Sequence, residues 1–184
     1  MVRIRIDAPI VLSPQLEVLA RWSCRYGNGF VQVTTGRHSQ IDEVRIESVP
    51  DVLEGLHEVG LSACGGGKDT ICDVTACPHA GFCPRERFNV APYALAVEAY
   101  LWACDSSCNL PRACQIAFSG CPSDCALAGV ADLGFFAQRR EDVSGFSVHV
   151  GGGLDPHPVV GVPVEEFVRD DEVFGGVAAS RLAQ

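Results

Sequence analysis

Two cysteine pairs constrain this chain more than any other feature. Cys77 and Cys83 stand as C-x5-C in Thr75-Ala76-Cys77-Pro78-His79-Ala80-Gly81-Phe82-Cys83. Cys121 and Cys125 stand as C-x3-C in Phe118-Ser119-Gly120-Cys121-Pro122-Ser123-Asp124-Cys125. Thiolates are the usual ligands of an iron–sulfur cluster, and four is the usual number. Such a group obliges the fold to bring two loops, separated by a helix-length stretch, to one point. A chain built this way does redox chemistry or stands in an electron path. A cysteine-rich zinc domain would use the same residue type, and so stays open as an alternative.

The other cysteines bear on compartment. The chain carries ten cysteines, and its first residues, Met1-Val2-Arg3-Ile4-Arg5-Ile6, alternate apolar and basic. That pattern reads as a strand rather than a signal peptide. A cytoplasmic setting follows, where dense cysteine points to metal or catalysis before disulfides. No apolar run is long enough to span a membrane. A formal net charge of −9 argues against a nucleic-acid partner. At 184 residues and 47% hydrophobic content, the chain can bury a core in one domain or two small ones.

Periodicity divides the chain in two. Val2–Ile6 reads as a strand. Ser13 is placed as N-cap of a helix over residues 15–26, with Pro14 in its first turn and Leu16, Leu19, Ala20 and Trp22 as its core face. Residues 30–35 and 44–46 read as strands, and residues 50–59 as a second helix stopped by Gly60. The order β-α-β-β-α suggests a ferredoxin-like α+β unit over residues 1–62. Residues 63–184 then form an α/β part that opens on Gly65-Gly66-Gly67. It has a helix over 92–103 with Leu95, Ala96, Ala99 and Trp102 inward. Strands are expected at 115–118, 130–136 and 146–150, then Gly151-Gly152-Gly153, then an acidic helix with a loop over 164–174.

Several of these segments resemble the sirohaem-dependent nitrite and sulfite reductase family. Gly27-Asn28-Gly29 through Val33-Thr34-Thr35, Gln40-Ile41, Val44-Arg45-Ile46 and Val49-Pro50 are similar to that family's ferredoxin-like half-domain. The run from Asp73 to Cys83, then Phe88-Asn89-Val90-Ala91-Pro92-Tyr93-Ala94, resembles its iron–sulfur domain. So do Leu110-Pro111-Arg112, Ile116 to Pro122, Asp132-Leu133-Gly134-Phe135 and Val150 to Leu154. The resemblance implies a [4Fe-4S] cluster on Cys77, Cys83, Cys121 and Cys125. It also implies sirohaem, with Cys125 bridging the cluster to the haem iron. The implied activity is the reduction of sulfite to sulfide or nitrite to ammonia, fed by an electron-donor protein.

Three anion-facing positions depart from the family's pattern. Its Thr-Thr-Arg-Gln appears here as Thr34-Thr35-Gly36-Arg37. Its arginine after the glycine-rich loop falls on Cys72, and its lysines after Leu-Pro-Arg fall on Ala113 and Gln115. Arg37 and Lys68 remain as candidates for the anion. Together with Arg112 and Cys125 they are also the candidates for sirohaem. Long members of the family contain two copies of this arrangement, and here one copy stands alone. The expectation is an oligomer, with itself or with a related half-domain that supplies the missing basic residues. A non-catalytic electron-transfer or structural subunit is the competing reading.

The residues left over read more plainly. Cys104, Cys108 and Cys114 with Cys64 or Cys72 offer a second metal site as one reading, but their spacing matches no recognised site and they are expected as buried thiols. Cys24 is expected in a helix core. His79, between two ligands, is expected as a turn residue, with a contact to the cofactor as the alternative. His38 follows Arg37 and is of a type that exchanges protons near neutral pH. His57 is expected on a solvated helix face, and His149 and His157 as loop polar groups. Asp170-Asp171-Glu172 is expected as a solvated acidic face.

Overall fold

The structure, a computed structural model, describes residues 1–6, 10–34, 38–63, 73–103, 114–154, 156–173 and 175. The chain divides into two compact units, Met1–Thr70 and Ile71–Gln184.

The first unit is a three-stranded antiparallel sheet with two helices. Strands β1 (Val2–Ile4), β2 (Val31–Val33) and β3 (Ser39–Ile41) lie in the order β1-β3-β2. The central strand is therefore Ser39–Ile41, not the expected segment 44–46. Ser-Gln-Ile carries one large apolar residue and looks weak in sequence, but Ile41 is fully buried between both edge strands. Glu43, held at positive φ, turns the chain away, and Ile46–Ser48 becomes a short 3-10 turn.

Helix α1 spans Ser13–Tyr26 and α2 spans Val49–His57. The cap of α1 is Leu12 rather than Ser13. Gln15 supplies the missing polar group, its Oε1 accepting the Leu12 N–H at 2.9 Å. Leu19 faces the core, whereas Leu16, Ala20 and Cys24 are exposed, so the expected core face is too wide. Trp22 packs its indole directly over Gly55 of α2, where any Cβ would collide with the ring. That close approach lets two short helices share one core with Val2, Ile4, Val52 and Leu56.

The second unit holds a five-stranded sheet in the order β4-β5-β6-β7-β8. The strands are β4 (Asp73–Ala76), β5 (Gln115–Ser119), β6 (Leu133–Arg140), β7 (Val143–Val150) and β8 (Val162–Arg169). β4, β5 and β6 run parallel, and β6, β7 and β8 antiparallel. β5 lies between two parallel neighbours and is buried on both faces from Ile116 to Ser119, as such strands usually are. Helix α3 (Ala91–Ala103) packs on one face. It turns Ala94, Val97 and Leu101 inward, not Leu95, Ala96 and Ala99. Apolar residues surround this helix, so its period carries no orientation, and only the sheet decides which face is inner.

Under α3, Phe118 and Phe135 stack 4.6 Å apart, and Phe146 meets both edge-on. Residues 162–169 form a strand, not the expected helix. β8 is an edge strand whose acidic residues face out, and Asp170–Glu172 follows it as a 3-10 turn. Tyr93 of α3 donates its hydroxyl hydrogen to Asp170 at 2.8 Å, joining helix and turn. Burial and that hydrogen bond push the Tyr93 phenol up to about 12.

Candidate metal centre

The two cysteine loops leave the same edge of the sheet. β4 and β5 are parallel neighbours with Ala76 opposite Phe118, so their carboxyl ends lie side by side. Cys77 follows the first strand directly, and its N–H donates to the Phe118 carbonyl at 3.0 Å. Cys121 follows the second strand two residues after Ser119. Cys77 is 1% exposed and Cys121 5%. Cys83 is half-buried, and Cys125 is exposed.

Each loop is held in its own way. In the first, the N–H groups of Ala80, Phe82 and Cys83 donate to the carbonyls of Cys77 and His79. Gly81 sits at φ +84, a conformation that favours glycine. In the second, Asp124 takes a left-handed φ of +45, and its carboxylate accepts the N–H groups of Ala128 at 2.8 Å and Gly129 at 2.9 Å. Ala126, Ala128 and Ala131 then pack with Ala117 of β5. A Cβ on Gly134 would collide with the Ala128 carbonyl, so glycine there lets the loop lie flat on β6.

This arrangement brings a ring nitrogen of His79 and the thiol sulfurs of Cys77 and Cys125 within 4.8 Å of one another. From sequence His79 is either a contact of the cofactor or a turn residue, with the turn role preferred, because nothing in C-x5-C indicates where the intervening side chain points. Burial pushes the Cys77 thiol up. The thiolates of Cys121, Cys125 and Cys83 push the same way, against the His79 backbone N–H, which favours the anion. Cys77 thus feels all three other cysteines. Four soft donors whose negative charges oppose one another suit a positively charged iron core, so the donor set fits a [4Fe-4S] cluster.

A cavity of about 360 Å³ opens beside Cys121, lined also by Arg87, Ser119, Phe136, Gln138 and Arg139. No motif singled out Arg87 or Arg139. Of the expected anion and sirohaem residues, Arg37, Lys68 and Arg112 lie outside the described residues, as do Cys64, Cys72, Cys104 and Cys108. Cys114 is buried. His38 is half-buried in unit one, His57 and His157 are exposed, and His149 lies on β7 with its ring 4.7 Å from that of Phe136.

The chain belongs to the nitrite and sulphite reductase family. The family's 4Fe-4S domain matches residues 67–179, and its ferredoxin-like half domain matches residues 1–59. An assimilatory ferredoxin-dependent nitrite reductase of Haloferax mediterranei is 34% identical over 80% of this chain and 26% of its own length. A ferredoxin–nitrite reductase of Synechococcus elongatus is 32% identical over 93% of this chain and 35% of its own length. This chain therefore spans about a third or less of these relatives. In structure, the Mycobacterium tuberculosis NirA protein superposes with a TM-score of 0.81 at 24% identity, over 97% of this chain and 32% of that one. Dissimilatory sulfite reductase I superposes with a TM-score of 0.75 at 11% identity, over 96% and 60%. Both share the fold.

Proposed function

We propose that this chain is a one-copy reductase, or reductase subunit, for the six-electron reduction of nitrite or sulfite. Residues 1–62 serve as the ferredoxin-like half-domain, and residues 63–184 as the cluster domain. The observation that carries the reading is the convergence of the two cysteine loops at the carboxyl ends of β4 and β5. Cys77, Cys83, Cys121 and Cys125 would hold a [4Fe-4S] cluster, and the exposed Cys125 would present its thiolate to sirohaem. Together those groups would supply single electrons and an open iron site for the oxyanion.

The chain's own residues hold and shield. Cys77 and Cys121 are held at strand ends and buried, Cys77 within the aromatic core and Cys121 at the wall of the cavity. Asp124 holds the turn that carries Cys125. The chain also offers basic groups to bind the substrate anion and orient it; Arg37, Lys68 and Arg112 remain the sequence-based candidates.

The named relatives favour nitrite as substrate and ferredoxin as donor. A related half-domain, in a second chain or a longer one, would complete the anion cradle. The cysteine density supports a cytoplasmic setting. No helix among the described residues is long and apolar enough to cross a membrane. The displaced basic positions favour a second reading, an electron-transfer subunit without turnover of its own.

An absorption spectrum of anaerobically purified protein, with iron and acid-labile sulfide counted, separates the readings. Red-region haem bands with about four non-haem irons per chain support the reductase. A broad brown spectrum without haem supports the electron-transfer subunit. A colourless protein with tightly bound zinc overturns both.

A further inference from the structure

At the cysteine loops, three donors stand closer together than the four thiols do. A ring nitrogen of His79 and the sulfurs of Cys77 and Cys125 all lie within 4.8 Å of one another, and neither Cys83 nor Cys121 joins them inside that limit. We infer that Cys77, His79 and Cys125 form a site for a single divalent transition-metal ion, filled while the chain carries no cluster. The site shares two thiols with the four-thiol set, so the two occupants exclude one another. It does not rest on the reductase reading.

Distance is the first support. Thiolate and imidazole bonds to a zinc-sized ion run about 2.0–2.3 Å, so donors on one tetrahedral ion stand roughly 3.6–3.8 Å apart. Three donors already within 4.8 Å reach that spacing by small side-chain rotations. A core of several irons and sulfides keeps its ligand sulfurs farther apart than one ion does. That wider arrangement takes in Cys83 and Cys121 and leaves His79 out.

Rigidity is the second. The His79 carbonyl accepts the N–H groups of Phe82 at 3.0 Å and Cys83 at 2.9 Å, and the Cys77 carbonyl accepts that of Ala80 at 3.0 Å. Pro78, between the first two donors, has its φ fixed by its ring. Asp124 precedes Cys125 and closes the second turn, its N–H donating to the Cys121 carbonyl at 3.3 Å and its carboxylate accepting the Ala128 and Gly129 N–H groups. Parallel pairing of β4 with β5 sets the two turns side by side. Little ordering is left for an ion to impose.

Access and chemistry are the third. Cys77 is buried, while His79 and Cys125 are exposed, so an ion has an inner wall and an open way in. Two thiolates and an imidazole suit Fe²⁺, Co²⁺ or Zn²⁺ rather than Mg²⁺ or Ca²⁺. The two thiolates also balance the charge of a divalent ion, and a water can complete the tetrahedron.

Cobalt is the probe, because tetrahedral Co²⁺ shows visible bands and a near-ultraviolet band that strengthens with each bound thiolate. Cluster-free, thiol-reduced full chain is titrated anaerobically with Co²⁺, alongside H79A, C125S and C83S. A single ion per chain is expected, with the band strength of a two-thiolate site. H79A and C125S should each weaken binding at least about tenfold, and added imidazole should restore the visible bands of H79A. C83S should bind Co²⁺ as the unaltered chain does. Equal binding by H79A and the unaltered chain overturns the inference. Loss of cobalt in C83S overturns it too, since the ion would then sit among the four thiols. Building a cluster from iron and sulfide in the same samples should expel the cobalt, and cobalt retained beside a full cluster refutes the shared ligands. A chain that binds Co²⁺ through His79 yet never holds a cluster sinks the reductase reading and leaves this site standing.

Discussion

The first cysteine loop is a turn closed by its own backbone and by the Glu86 carboxylate, which accepts the Gly81 N–H at 2.8 Å, whereas the second is also clamped by the sheet beneath it. Residues 77–83 bend through carbonyls inside the loop and put Phe82 at the tip, 91% exposed. Residues 121–131 are held by the Asp124 carboxylate, by alanines packed with Ala117 and by the missing side chain of Gly134. In both, the cysteine next to the strand is buried and the one farther along is more open. Strand register therefore fixes the inner pair, and turn chemistry fixes the outer pair. The outer pair is where substitutions should separate the loops.

The largest effect should come from the platform common to both. Phe118→Ala removes a fully buried ring from the stack with Phe135 and should cost about 3–5 kcal/mol in denaturant unfolding. Iron should be lost from both loops together, and a variant that keeps full iron content would break the claim of a common platform. Gly134→Ala comes next, at about 1–3 kcal/mol, because the Ala128 carbonyl has no room to yield. Its damage should be confined to the second loop. Alkylation mapping should show Cys121 and Cys125 more reactive and Cys77 unchanged.

Asp124→Ala strips the acceptor from two N–H groups, and about 1–2 kcal/mol should follow. Faster loss of iron to a chelator in this variant would show that Cys125 depends on the turn. Tyr93→Phe tests the tie between α3 and the turn after β8, at about 1.5 kcal/mol near neutral pH. The folded phenol titrates at about 12 against about 10 when unfolded. The Tyr93 contribution is thus complete below about pH 10 and fades as pH climbs toward 12. Stability curves of the two proteins should converge across that window, and a constant gap would refute the link. Phe82→Ser is the smallest, within about 0.5 kcal/mol, since the ring is already in water.

The cysteine spacing was legible because ligand chemistry is local: a thiolate at a given offset reads the same wherever it folds. The first unit's β-α-β-β-α order was legible for a similar reason. Three signals failed for identifiable causes. Val-Pro-Val-Glu-Glu-Phe-Val-Arg over 162–169 carries a mixed period, and pairing with β7 settled it as an edge strand. Ser39–Ile41 is central because both neighbours pair with it, which its own three residues do not announce. Cys24 faces solvent, since the narrow core beneath α1 accepts only Leu19 and Ser23 as fully buried residues.

By itself the sequence determined the donor set: four thiols in two loops, their spacing, and a chain of two α+β parts. It did so because residue type and offset are properties of the chain alone. Only the tertiary structure decided which thiols are buried, that His79 lies against Cys77 and Cys125, and that Arg87 and Arg139 meet at one cavity. Arg87 precedes α3 and Arg139 is the penultimate residue of β6, 52 positions apart in the chain (139 less 87). Parallel pairing of β5 with β6 and the turn after Cys83 bring them to one edge, and no local pattern encodes that meeting.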